Sequence, residues 1–195
     1  MQGIMSRIAF NWAQGDFGKM ILRQQEIMYC LLLKMTEIQF RMKGRSPVAK
    51  TAEMIAFMDR ELATLFGREL LVAARFFQLG SKLEFFRKVQ KNRVDLPKTL
   101  KNMAWDLWHI RQVEMGLSFR PDHGARYHFP AILTFDKGLG EIIDLCSLSM
   151  CIMAPDRTMQ PIYTTDARTL LSIDDQHDAV TSFEQAYDIA TRAKP

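Results

Sequence analysis

Hydrophobic positions in the first two thirds of the chain recur with the period of an α-helix. Between residues 18 and 42 they form one wide stripe, made of Ile21, Leu22, Ile27, Met28, Leu31, Leu32, Met35, Ile38 and Phe40. A stripe of this width is typical of a helix that packs one face against a core. The pattern therefore predicts a first helix over 18–42, with Gly44 as its stop.

Further helices are predicted by the same period together with capping signals. Ser46 followed by Pro47 is an N-cap and first-turn signal. Gly67 separates the second helix from the third, and Gly80 with Ser81 caps the fourth. The predicted ranges are 47–66, 68–79, 82–92 and 97–117.

After residue 117 the pattern changes to shorter apolar runs. Residues 118–129 contain Pro, Gly, two His and several charges, which predicts a loop. The run over 130–136 and the run over 161–165 have the composition of short buried strands. A helix is predicted between them, over 137–153, ended by Ala154, Pro155 and Asp156, and residues 166–195 also read as helical.

Strand, helix and strand in this order predict one βαβ unit, and hence a parallel sheet. The predicted fold class is therefore α/β but helix-dominated: a small parallel sheet with a helical N-terminal half. We expect a helical, basic part over 1–101 and an acidic part over 102–195, packed as one compact unit.

Charge divides the chain into the same two parts. Residues 19–101 hold 17 Lys and Arg against 8 Asp and Glu, a net charge of +9, whereas residues 102–195 hold 8 against 13, a net charge of −5. Cationic surface attracts polyanions, and clustered carboxylates hold divalent cations. Solvated helix faces that simply carry Lys and Arg are the alternative explanation.

Composition limits the class of protein. The chain has 195 residues, of which 48% are hydrophobic and 25% charged, as in globular domains. Three cysteines without metal-ligand spacing favour a reducing compartment. The N-terminal residues do not resemble a signal peptide, and no apolar run approaches the roughly 20 residues that span a bilayer. We therefore expect a cytoplasmic protein without a membrane partner.

Two carboxylates stand where chemistry is plausible. Asp106 lies in an aromatic helix, and Asp136 lies where the predicted strand over 130–136 ends and the next helix begins. In open α/β sheets, sites form at the carboxyl ends of the strands. Together they would share a divalent cation that orients a water. The simpler interpretation is that Asp136 caps the next helix and that Asp106 is a solvated or ion-paired residue. His109, three residues after Asp106, is a weaker candidate ligand.

These residues also carry a resemblance to a known family. The segments Ala-Trp-Asp106-Leu-Trp-His and Pro-Ala-Ile-Leu-Thr134-Phe-Asp136, followed by a helix and then Pro-Ile-Tyr-Thr-Thr-Asp, resemble the C-terminal half of the PIN-like nuclease domain. The resemblance covers about residues 103–165. It implies cleavage of RNA phosphodiesters that depends on Mg²⁺ or Mn²⁺, with Asp106 and Asp136 as metal ligands and Thr134 as a supporting hydroxyl. It also places Asn11 where the family has an Asp, and Glu37 or Glu53 at the family's middle acid.

A cationic segment offers a second candidate site. Seven Lys and Arg fall within residues 82–101, and Arg87, Lys88 and Lys91 are its proposed RNA contacts, since phosphate binding needs little more than positive charge. Phe85 and Phe86 are expected to be buried rather than to stack on bases. The alternative function is therefore a non-catalytic helical module that binds nucleic acid or a protein partner, with a homo-oligomer also open.

Overall fold

The computed structural model describes residues 15–64, 66–116, 131–145, 147–153 and 159–164. Helices dominate this part of the chain, and a single β-hairpin follows them. The helices are α1 (Asp16–Arg41), α2 (Pro47–Arg60), α3 (Gly67–Leu79), α4 (Leu96–Gly116) and α5 (Lys137–Leu145), and the strands are β1 (Leu148–Met153) and β2 (Met159–Tyr163). Two short 3-10 turns, Gly80–Lys82 and Glu84–Phe86, follow α3.

The first helices begin and end close to where the sequence places them. The Ser46 hydroxyl accepts a hydrogen bond from Ala49 N at 3.2 Å, so it caps α2 as predicted, and Gly44 has the positive φ of +87° that ends α1. α2 stops at Arg60, before the predicted end at 66. Ala63 adopts a φ of +49° there, and Thr64 N donates to Met58 O at 3.1 Å, which closes the helix.

The core is centred on α3. Nine of its residues are buried, on all sides of the helix: Arg68, Glu69, Leu70, Leu71, Val72, Ala73, Ala74, Phe76 and Phe77. α1 and α4 pack against each other beside it, through Leu31, Met35 and Met103, which are fully buried. Phe76 stacks on Phe86 with 4.0 Å between ring centroids, and so joins α3 to the following 3-10 turn.

Polar side chains fix the position of α1 on α4. Gln25 Nε2 donates to Lys101 O at 3.3 Å, and Gln24 Oε1 accepts from both Trp108 Nε1 and Gln112 Nε2 at 3.2 Å. Buried donors and acceptors that are satisfied in this way select one register of the two helices.

The prediction of a helix over 82–92 is wrong. The segment instead forms the 3-10 turn Glu84–Phe86 and then non-helical turns up to α4. Leu83, Phe85, Phe86 and Val89 all point into the core, with exposures of 5% or less. Burial of residues so close together suits a tight, irregular path better than one face of an α-helix.

The α/β fold with a parallel sheet is also wrong for the part of the chain that the structure describes. Residues 131–136 form neither helix nor strand, and α5 ends at Leu145 instead of continuing to 153. Residues 148–153 form β1, which pairs antiparallel with β2, with Cys151 opposite Pro161. The antiparallel pair of β1 and β2 therefore stands in place of the predicted βαβ unit, and the PIN-like sheet implied by the resemblance is not formed in the described residues.

The predicted loop over 118–129 and the predicted helices after residue 165 lie outside the described residues. Within the described helices, no stretch has both the length and the apolar character needed to cross a bilayer. Cys30 is a half-buried free thiol on α1.

Candidate nucleic-acid interface

The segment over 82–101, which runs from the 3-10 turn after α3 into α4, presents a cationic surface. Its seven basic side chains are all exposed: Lys82, Arg87, Lys88, Lys91, Arg93, Lys98 and Lys101. In the same segment Phe85 is 3% exposed and Phe86 is fully buried, as the sequence predicted. The apolar residues thus anchor the segment in the core, and the cations face solvent. We call these seven residues the cationic segment.

Ion pairs engage two of these cations. Arg87 Nη2 lies 2.9 Å from Glu84 Oε1. Arg93 forms a two-pronged pair with Asp95, at 2.5 Å from Nε to Oδ1 and 3.0 Å from Nη2 to Oδ2, which raises the pKa of Arg93. Arg93 Nη1 also donates to Lys88 O at 3.3 Å, so it stiffens the backbone that carries Lys88. Among the described residues no other salt bridge reaches the cationic segment.

A cavity of about 520 Å³ opens within this surface, and we call it the basic cavity. Its walls are Glu84, Phe85, Arg87, Lys88, Gln90, Arg93 and Asp136. Arg87 and Lys88, two of the three predicted RNA contacts, line the cavity. Lys91 is exposed but is not among the lining residues.

The N-terminus of α5 forms the opposite wall. Asp136 Oδ1 accepts hydrogen bonds from Gly138 N at 2.8 Å and Leu139 N at 3.2 Å, so this carboxylate is the N-cap of α5. Glu84 N donates to Glu141 Oε2 at 2.8 Å, which ties the 3-10 turn to α5. The two backbones are so close here that a Cβ on Gly138 would lie 2.8 Å from the backbone N and Cα of Phe85. Only glycine allows this approach.

Asp106 reaches the same region from α4. It is half-buried, and burial raises the pKa of its carboxyl. Electrostatic interactions with Lys88 and His109 lower this pKa, and the charge of Asp136 raises it. The two predicted carboxylates are therefore near enough to interact electrostatically, with a cation from the cationic segment beside them. Thr134 accepts a hydrogen bond from Asp136 N at 3.1 Å through its hydroxyl, and so orients the cap.

The other predicted acids lie elsewhere. Glu37 on α1 and Glu53 on α2 both pair with Arg41, the latter at 2.9 Å, and Asn11 lies outside the described residues. No three Asp, Glu, His or Cys side chains converge anywhere in the described part of the chain. Mg²⁺ binds through near-octahedral oxygen ligands. The described residues bring two carboxylates to this region, those of Asp106 and Asp136, and the latter also caps α5.

Sequence reasoning missed several residues of the cavity wall. Glu84 stands three residues before Arg87, a spacing that signals an ion pair only where a helical turn is already expected. Gln90 and the backbone contact with Gly138 carry no local signal, because α5 comes from a distant part of the sequence.

Comparison with protein-family models, with curated proteins and with solved structures gives no match.

Proposed function

We propose that this chain is a non-catalytic helical module that binds RNA through its backbone phosphates, with the cationic segment as the contact surface. The observation that carries the proposal is the separation of roles within residues 82–101, where every cation is exposed while the neighbouring aromatic side chains are buried. Phosphate contacts of this kind position a nucleic acid without reading its sequence.

The ion pairs in the segment do not prevent phosphate binding. The Arg87 side chain is 72% exposed in its pair with Glu84, and exposed pairs of this kind contribute little free energy. A phosphate can therefore exchange with the Glu84 carboxylate at low cost. Arg93, held by Asp95, keeps the wall of the basic cavity in place.

The salt dependence of RNA affinity tests the proposal. Each phosphate that a cation neutralises releases condensed counterions, so the logarithm of the binding constant falls linearly with the logarithm of salt concentration, with a slope of about −0.7 per contact for single strands. The variant Arg87→Ala/Lys88→Ala/Lys91→Ala should weaken binding and flatten this slope by about 2, because three contacts are lost.

A matched variant controls for net charge. Arg23, Lys43 and Arg45 are exposed cations on α1 and the turn after it. Their triple replacement by Ala changes the net charge equally, and we expect the slope to stay at the wild-type value. Equal slopes for wild type and the Arg87/Lys88/Lys91 variant would reject the cationic segment as the binding surface, as would equal losses in both triple variants.

A metal-dependent ribonuclease is the second candidate function, and the electrostatic proximity of Asp106 and Asp136 favours it. A shared Mg²⁺ or Mn²⁺ would offset the repulsion between these carboxylates. Thermal unfolding with and without Mn²⁺ separates the two candidates. For the ribonuclease, Mn²⁺ raises the melting temperature of wild type, and Asp106→Asn or Asp136→Asn abolishes the rise. For the binding module, Mn²⁺ produces no shift that depends on these residues.

A further inference from the structure

An exposed aromatic side chain directly precedes a residue that lines the basic cavity. Phe135 is 93% exposed, and it directly precedes Asp136, which lines the cavity. The segment over 131–136 forms neither helix nor strand, and in it Ile132 and Thr134 are half-buried whereas Leu133 and Phe135 are exposed. A fully exposed Phe is uncommon, because burial of this side chain contributes about 1.5–3 kcal/mol to folding.

The backbone on either side of Phe135 is fixed. Thr134 accepts the hydrogen bond of Asp136 N, and Asp136 caps α5 through its carboxylate. Gly140 N donates to Asp136 O at 3.0 Å, the first bond of the helix. These hydrogen bonds connect the residue after Phe135 to α5, so a ligand that uses the ring has less backbone to order on binding.

We infer that Phe135 is a stacking platform for an unpaired base, so that the ligand of this surface is single-stranded rather than duplex RNA. This inference rests on the proposed function. In a duplex the faces of the bases are covered by their neighbours, whereas single strands offer bases that stack on aromatic side chains. Single-strand binding without sequence preference combines cationic contacts to the phosphates with stacking of bases on aromatic side chains. Here the basic cavity would bind a phosphate and Phe135 would stack on a base.

In the part of the chain that the structure describes, the other exposed apolar residues do not share this combination. Leu133, 86% exposed, lies on the same segment but has no aromatic face, and Phe85 and Phe86 are buried. Phe135 therefore differs from these three residues in combining exposure, an aromatic ring and a sequence position next to a residue that lines the basic cavity.

Binding of labelled RNA by wild type, Phe135→Ala, Phe135→Trp and Leu133→Ala tests the inference. The probes are a uridylate strand of about 12 nucleotides, within the range of known single-strand sites, and an RNA duplex of the same length. Phe135→Ala should lower affinity for the single strand about 5- to 100-fold without changing its salt slope, because stacking releases no counterions. Phe135→Trp and Leu133→Ala should bind like wild type, and the duplex should not distinguish the four proteins.

The outcomes separate this inference from the proposed function. Stacking is overturned if Phe135→Ala binds the single strand like wild type, if it weakens duplex binding equally, or if Leu133→Ala loses as much affinity. In each of these cases the Arg87/Lys88/Lys91 variant still reports on phosphate binding through its salt slope. The exposure of Phe135 predicts an unchanged melting temperature for all four proteins, and this measurement excludes misfolding as the cause of lost affinity.

Discussion

Asp136 Oδ1 accepts hydrogen bonds from two backbone N–H groups of α5. Burial raises the pKa of Asp106 on α4, and the charge of the Asp136 carboxylate raises it further. The cap requires an oxygen acceptor but no charge. The interaction with Asp106 requires the charge and is unfavourable. A substitution of Asp136 that removes the charge but keeps the acceptor oxygen therefore separates helix capping from the interaction with Asp106.

Asp136→Asn and Asp136→Ala should differ in stability. Asn caps helices about as well as Asp, so the free energy of unfolding should stay close to that of wild type, whereas Ala should lower it by about 1 kcal/mol. Urea denaturation at neutral pH measures both. If Ala proves as stable as Asn, the side chain does not stabilise α5 through its cap.

Asp106 predicts a pH dependence of defined sign. Burial raises the pKa of its carboxyl above the ordinary value of 3.8, so the folded state binds this proton more tightly than the unfolded chain. Its favourable contribution is complete below pH 3.8 and is lost as the pH rises through the raised pKa. Asp106→Asn does not titrate, so the variant should lose less stability over this window and be more stable than wild type at neutral pH.

Asp95 provides a control of the opposite sign. The hydrogen bond from Arg93 lowers the pKa of Asp95, so its contribution is present above the ordinary pKa of 3.8 and is lost as the pH falls through the lowered value. Asp95→Asn should therefore remove stability at neutral pH and leave the acid side unchanged. Chemical denaturation across pH 3 to 7, roughly the range in which carboxyl groups titrate, compares the variants. Parallel pH profiles for wild type and Asp106→Asn would contradict the expected coupling.

α5 contains Gly138 and Gly140, and of these two Gly138 lies at the contact with the 3-10 turn Glu84–Phe86. Gly138→Ala places a Cβ within 2.8 Å of the Phe85 backbone, which cannot move aside as a side chain would. This overpacking should cost about 1–3 kcal/mol. Gly140 has nothing within 4 Å of an added Cβ, so Gly140→Ala should instead stabilise α5 by about 0.5–1 kcal/mol. Thermal unfolding measures both effects: the melting temperature of Gly138→Ala should fall, and that of Gly140→Ala should rise.

The helices were predictable from sequence because their signals are local. The stripe along α1, the Ser46 cap and the Gly44 stop each involve residues within one or two turns. The second half gave no comparable signal. The apolar run over 145–153 suits a helix or a strand equally by composition, and pairing with β2 decides between them. That pairing is a long-range contact, and so is the packing that bends 82–92 into 3-10 turns.

Two buried ion pairs link the helices to one another and to the hairpin. Arg111 Nη2 on α4 lies 2.5 Å from Glu69 Oε2 on α3, and Arg68 on α3 pairs with Glu114 on α4. From β2, Tyr163 donates a hydrogen bond to Glu114 at 3.4 Å, and its ring lies 5.4 Å from the Arg68 guanidinium. Burial raises the pKa of Glu114, against the attraction of both arginines.

Breaking one of these pairs should destabilise the whole chain. Arg111→Met leaves Glu69, whose side chain is 1% exposed, as a buried carboxylate without its partner, and should cost about 3–5 kcal/mol. The double variant Arg111→Met/Glu69→Leu removes both charges and should recover most of this loss. Arg93→Met, which breaks an exposed pair, should cost far less. A double variant as unstable as Arg111→Met would show that packing, not charge, accounts for the loss.

The candidate site was only partly predictable for the same reason. Asp106, Asp136, Arg87 and Lys88 stand out in the sequence by residue type, and the structure brings them to one region. Their roles depend on what faces them. The cap that occupies Asp136 and the exposure of Phe135 follow from where α5 docks, which sequence pattern does not specify.

The buried pairs also constrain how this sequence can change over generations. A lineage that loses the charge at position 69 or 111 alone passes through an intermediate with an uncompensated buried charge, which selection for a folded chain removes. Positions 69 and 111 are therefore expected to change together or not at all, and positions 68 and 114 likewise. Exposed partners such as Asp16 and Lys19 are expected to change independently of each other. We therefore expect related sequences to show correlated substitutions at these two pairs of positions and independent substitutions at surface positions.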